Sequence, residues 1–116
     1  MQERRQNVRV RPAPDYDIRI DFEEGVVKVQ CSVMDVAVGG VGLVVDELFA
    51  HLKSGDSMTL GVELPGHERF ETLASMRYTQ GKAGGRCGLH FGQLTSEQQT
   101  ALSRAVSELL ERGHSV

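Results

Sequence analysis

The sequence predicts an all-β domain with a C-terminal helix. The expected architecture is a six-stranded antiparallel β-barrel with an amphipathic α-helix packed on its flank. Three observations predict it. Short runs of alternating apolar and polar residues recur at regular spacing, which is the period of half-buried strands. Glycine- or proline-bearing turn signals separate them, as in Pro65-Gly66 and Gly81-Lys82-Ala83-Gly84-Gly85. Only after the last run does the apolar spacing change from two to that of a helix.

The first run, residues 15–22, alternates charged and apolar side chains without a break (Asp15-Tyr16-Asp17-Ile18-Arg19-Ile20-Asp21-Phe22). Glu23-Glu24-Gly25 reads as a hairpin connection to a second strand over residues 26–34, with Val27, Val29, Cys31 and Val33 facing inward. A third strand follows over residues 41–45. Residues 46–56 form a loop, with Leu48, Phe49 and Leu52 expected beneath it. Met58, Leu60, Val62 and Leu64 mark strand four, residues 69–78 strand five, and Cys87, Leu89 and Phe91 strand six. Thr95 followed by Gln98 is a capping-box pattern. Behind it Leu102, Val106, Leu109 and Leu110, with Ala101 and Ala105, make a helical stripe that Gly113 terminates.

At 116 residues the chain has the size of one domain, with 40% hydrophobic and 25% charged residues. No apolar run approaches the ~20 residues of a membrane-spanning helix, and the polar start resembles no secretory signal, so a cytoplasmic protein without membrane insertion is expected. Cys31 and Cys87 read as small buried hydrophobes rather than a disulfide. No metal site is expected from His51, His67, His90 and His114, which lack ligand spacing, and no cofactor is called for. Neither a nucleophile elbow nor an activated thiol is present, so the chain is not expected to be an enzyme. A formal charge of −3 and 5% aromatic residues argue against a nucleic-acid-binding barrel, which needs a basic groove and stacking platforms.

Charge is nevertheless uneven. Residues 1–11 carry Arg4, Arg5, Arg9 and Arg11 against the single acid Glu3. Pro12 and Pro14 follow, and the expected division is a flexible arm over residues 1–14, a barrel over 15–92 and a helix over 93–113. Between strands two and three stands Asp35-Val36-Ala37-Val38-Gly39-Gly40-Val41-Gly42. This corner is either a tight strand connection or a shallow seat. As a seat, it would let a ligand rest on bare backbone while the Asp35 carboxylate takes its N–H donors.

Read together, arm and corner resemble the PilZ domain family, bacterial receptors for the second messenger cyclic di-GMP. Arg5-Gln6-Asn7-Val8-Arg9 has the form R-x-x-x-R, doubled by Arg4, and thirty residues after Arg5 the corner approaches [DN]-x-S-x-x-G. Gly42-Leu43, Gly88-Leu89-His90-Phe91 and the C-terminal helix add to the likeness, which spans a single domain of residues 3–113. The resemblance implies a six-stranded barrel with a flanking helix and a ligand site of Arg4, Arg5, Arg9, Asp35, Ala37, Gly39 and Gly40. Arginine can fork onto a phosphate or guanine O6 and N7, and Asp35 would accept from a guanine's N1–H and N2–H₂. The chain departs from the pattern at Ala37, where the family has Ser; one neutral hydrogen bond lost means a weakening of roughly tenfold.

The implied function is a stand-alone sensor or adaptor that binds cyclic di-GMP, changes conformation and signals to a partner protein. At this length no output domain is expected beside the barrel, so effects on motility, adhesion or polysaccharide secretion would act through that partner. The alternative is a degenerate adaptor that binds no nucleotide and serves only as a protein-interaction module.

Overall fold

The computed structural model describes residues 8–116. Among these residues there are seven strands: β1 (Arg19–Glu24), β2 (Val27–Cys31), β3 (Val33–Val36), β4 (Gly40–Val44), β5 (Ser57–Glu63), β6 (Phe70–Thr79) and β7 (Arg86–Phe91). One helix, α1 (Ser96–Glu111), follows. All pairings are antiparallel, in the order β2-β1-β5-β6-β7-β4-β3.

The architecture is the expected barrel plus helix, with one strand more than the expected six. The second apolar run divides at Ser32. Its first half pairs with β1 and its second half with β4, while the Ser32 carbonyl accepts from Val44 N–H at 3.0 Å. The two ends of the sheet are therefore consecutive in sequence. A single bent stretch of chain belongs to both edges, and that curls the sheet on itself. The bend also breaks the inward alternation expected from Val27 to Val33: Cys31 is buried, whereas Val27 is half exposed.

The inward faces supply Ile20, Leu43, Leu60, Val62, Met76 and Leu89, and the buried stripe of α1 (Leu102, Ala105, Val106, Leu109) joins the same core. Both halves of the capping box form: Gln98 N–H donates to Thr95 Oγ1 at 3.1 Å, and Thr95 N–H to Gln98 Oε1 at 3.0 Å. Gly113, at φ +84°, ends the helix. Leu110, expected in the stripe, is 44% exposed. In the loop after β4, Phe49 is buried against Phe22, but Leu48 turns outward because Asp46 caps a single 3-10 turn over Glu47–Phe49.

One expectation near the N-terminus changes. The alternation from Asp15 to Ile18 is not strand: Ala13 and Tyr16 exchange backbone hydrogen bonds around Pro14-Asp15, making a turn, and β1 begins at Arg19. Within residues 8–14, Val10 and Ala13 are buried. Val10 exchanges two 2.9 Å backbone bonds with Val36, Arg11 N–H donates to His114 O, and Val116 N–H donates to Arg9 O. The stretch from Arg9 to Arg11 thus runs between the end of β3 and the tail after α1. The burial of Val10, one apolar residue between two arginines, holds it there.

Cys31 and Cys87 are buried free thiols. Burial pushes Cys31 up to about 12 and Cys87 to about 11, from an ordinary value of 9.0. Both values exceed that of the unfolded chain. The neutral thiols therefore contribute stability fully below pH 9, and it is lost as pH rises toward 11 and 12. Iodoacetamide at pH 8 is expected to leave both thiols unmodified in the native protein and to label both in guanidinium chloride; native labelling would contradict this burial.

Candidate functional site

The corner tightens into a short hairpin. Asp35 and Val36 complete β3, Gly40 opens β4, and Ala37 and Gly40 exchange backbone bonds of 2.8 and 3.4 Å around Val38-Gly39. Positive φ is not what the Gly-Gly pair supplies, since neither Gly39 nor Gly40 adopts it. Close approach is. A Cβ on Gly40 would overlap the carbonyl oxygen of Leu89 on β7.

Register then lays out the outer wall of the barrel. Asp35 pairs with Gly42, Gly42 with Gly88, and Gly88 with Tyr78, giving one transverse row across β3, β4, β7 and β6. In the adjacent outward row Gly40 pairs with His90, and His90 with Ser75. Between the two rows, Val36, Val41, Leu89 and Met76 point into the core. The middle of the row is thus two glycines, with the Asp35 carboxylate lying over Gly42 and the Tyr78 ring over Gly88.

Arg9 closes over the carboxylate end. Its Nη1 donates to Asp35 Oδ1 at 2.5 Å, and Arg86 Nη2 lies 4.0 Å from Oδ2. The Asp35 side chain is nearly covered, whereas Arg9 stays 41% exposed. Asp35 also packs on Gly42, where a Cβ would come within 2.8 Å of Oδ1. Beside this pair opens a cavity of about 380 Å³, whose walls include Arg9, Ala37, Gly39, Gly40, Tyr78 and His90. Among the described residues Arg9, Arg77 and Arg86 outnumber the one acid, Asp35, which makes this part of the wall cationic on a chain of net charge −3.

Of the site residues expected from sequence, Arg9, Asp35, Ala37, Gly39 and Gly40 come together here. Arg4 and Arg5 lie outside the described residues. Sequence reasoning did not place Arg77, Tyr78, Gly88 and His90 at the site. An isolated glycine inside a strand pattern was the available signal for Gly88. Arg77 and Tyr78 had none, because a shift of register between Met76 and Tyr78 brings both to the outside.

Fold and site define a small antiparallel barrel whose outer wall presents an arginine–carboxylate pair over a glycine floor. A model of the PilZ domain matches residues 3–108, and the chain belongs to that family. An uncharacterized protein of Aquifex aeolicus is 32% identical over 105 residues, covering 90% of this chain and 48% of that one. The chain thus spans about half the length of the curated relative it matches. Among solved structures, the Klebsiella pneumoniae MrkH–c-di-GMP complex superposes with TM-score 0.73 at 12% identity, covering 97% of this chain and 55% of that one. The PilZ domain of Escherichia coli YcgR with c-di-GMP gives 0.67 at 15% identity, covering 94% of both. The Bacillus subtilis inhibitor of motility MotI gives 0.69 at 20%, covering 97% of this chain and 54% of that one. At these identities the structural likeness speaks for the fold. No helix among the described residues is long and apolar enough to cross a membrane.

Proposed function

We propose that this chain binds cyclic di-GMP on the outer wall of its barrel and passes the occupancy on to a partner protein. The observation that carries the reading is the Arg9–Asp35 pair. It joins residues 26 apart in sequence, at the edge of a cavity floored by Ala37, Gly39 and Gly40. A cyclic dinucleotide offers two phosphates and two guanines. Asp35 accepts from a guanine's N1–H and N2–H₂, while Arg9, with Arg5 and Arg4 ahead of it, takes phosphate or a base edge. The glycines let a base or ribose lie against the backbone.

Arg9 sits on Asp35 already, so the ligand must share that carboxylate or displace the guanidinium. Displacement would disturb the backbone bonds from Val10 to Val36 and from Val116 to Arg9, one route from site to tail. Family membership and the ligand named for the MrkH and YcgR structures support the same ligand class. Titration calorimetry of cyclic di-GMP against wild type and Arg5→Ala tests the reading. Wild type is expected to bind, and the variant to bind at least about tenfold more weakly, since hydrogen bonds to charged groups are worth about 1.5–3 kcal/mol each. Equal heats from both, or none from wild type, would remove it.

One observation favours a second reading, in which the domain is an adaptor that binds no nucleotide. Ala37 carries no hydroxyl, and Arg9 and Asp35 satisfy each other without a ligand. Recovery of the same partner in equal amounts with and without cyclic di-GMP would support that adaptor.

A further inference from the structure

We propose that His90 supplies, from β7, the neutral hydrogen-bond donor that the corner lacks at Ala37, and that its ring donates to a phosphate oxygen of the bound ligand. The inference rests on the cyclic dinucleotide reading of this face and adds to it a contact particular to this chain.

Three observations carry it. First, Ala37, Gly39 and Gly40 bring no side-chain donor to the cavity they floor. The charged groups at that end, Arg9 and Asp35, already hold each other. A ligand laid on the corner would therefore leave acceptor oxygens facing a methyl group and glycine backbone, and an acceptor buried without a donor is costly.

Second, register brings His90 to the corner from the neighbouring strand. Ala37 and Gly40 exchange backbone bonds, and Gly40 is the direct ladder partner of His90. Direct partners in an antiparallel pair stand about 5 Å apart, with their side-chain positions on one face. Gly40 has no side chain, and the Leu89 carbonyl leaves no room for one, so position 40 offers the ring no competitor.

Third, the ring is available. His90 is exposed and lines the same cavity as Ala37. Among the described residues the hydrogen-bonded histidine ring is that of His67, and neither nitrogen of His90 has a protein partner. A neutral imidazole carries one N–H donor and a protonated one two, so either form can serve a phosphate oxygen. The Tyr78 hydroxyl, the other neutral side-chain donor among the cavity's described residues, comes from β6, one strand farther from the corner.

Calorimetry of cyclic di-GMP with wild type, His90→Ala, His90→Gln, Ala37→Ser and the Ala37→Ser, His90→Ala double variant tests the contact. His90→Ala is expected to bind about five- to tenfold more weakly, the loss of one neutral hydrogen bond, with an unchanged melting midpoint because the ring is exposed. His90→Gln keeps an N–H donor and is expected to recover most of that loss. Ala37→Ser is expected to change wild-type affinity less than about twofold but to strengthen the His90→Ala protein about fivefold, because the hydroxyl then takes the place of the ring. A merely structural histidine would not make the effect at position 37 depend on position 90. Undiminished affinity in His90→Ala, or an equal gain from Ala37→Ser in both backgrounds, would overturn the role of His90 while leaving cyclic di-GMP binding intact. Absence of binding by wild type would instead overturn both.

Discussion

Replacing Asp35 by alanine is expected to weaken cyclic di-GMP binding about 100-fold or more while leaving the fold nearly as stable. Among the described residues the carboxylate is the only acid in contact with the Arg9 and Arg86 guanidiniums at this end of the wall. In the proposed complex it is also the group that takes a guanine's two adjacent donors. Hydrogen bonds to a charged partner are worth about 1.5–3 kcal/mol each, and losing two exceeds the ~2.7 kcal/mol that corresponds to 100-fold. An opposing effect exists, because removing the acid makes the wall more cationic and attracts phosphate. Exposed charge interactions of that kind amount to less than about 1 kcal/mol, so the loss dominates. Stability moves less because Arg9, 41% exposed, can rehydrate when its partner is removed. Asp35→Asn should fall between, since the amide keeps one acceptor oxygen but turns a donor toward the guanine. Calorimetry and a thermal melt on the same samples separate the two quantities, and an unchanged dissociation constant for Asp35→Ala would place the ligand elsewhere.

Gly40→Ala is expected to act oppositely, lowering stability by about 3 kcal/mol and removing binding as a consequence. The added Cβ meets the backbone carbonyl of Leu89, a fixed neighbour in the β4–β7 ladder rather than a movable side-chain end. Leu89 itself is buried on the inner face and cannot retreat without opening the core. Overpacking of this kind typically costs 1–3 kcal/mol, and a clash with backbone belongs at the upper end. For a domain of this size that is roughly a 10 °C fall in midpoint. Chemical denaturation of the variant measures it; a loss below about 1 kcal/mol would mean that β4 and β7 are less tightly apposed than described. A Cβ at Gly25 meets nothing within 4 Å. Packing therefore makes position 40 special, not glycine's backbone freedom.

Much of this was legible in the sequence because its signals are local. Period-two alternation marks the strands wherever one face is buried, and the shift to helical spacing after Thr95 marks α1. The capping box follows from two side chains three residues apart. The family motif named Arg9 and Asp35 because both are fixed in identity and order along the chain. The failures are equally physical. Asp15 to Ile18 carries a perfect strand pattern but follows Pro14, and the turn between Ala13 and Tyr16 prevailed over the alternation. Leu48 and Val27 have core composition but are left about half exposed, one in a 3-10 turn and the other at the start of a strand.

By itself the sequence determined the class of the fold, the order of its elements and the chemical types at the carboxylate end of the wall. Tertiary structure decided what the wall contains. The division of strand two at Ser32, the docking of Val10 beside Val36, and the row from Asp35 through Gly42 and Gly88 to Tyr78 all depend on which strands become neighbours and in what register. Register is a property of pairs of distant segments, and one residue of slip exchanges the inner face for the outer. No single stretch of sequence carries that information, so the ring and the cation at positions 78 and 77 came into view only once β6 was paired with β7.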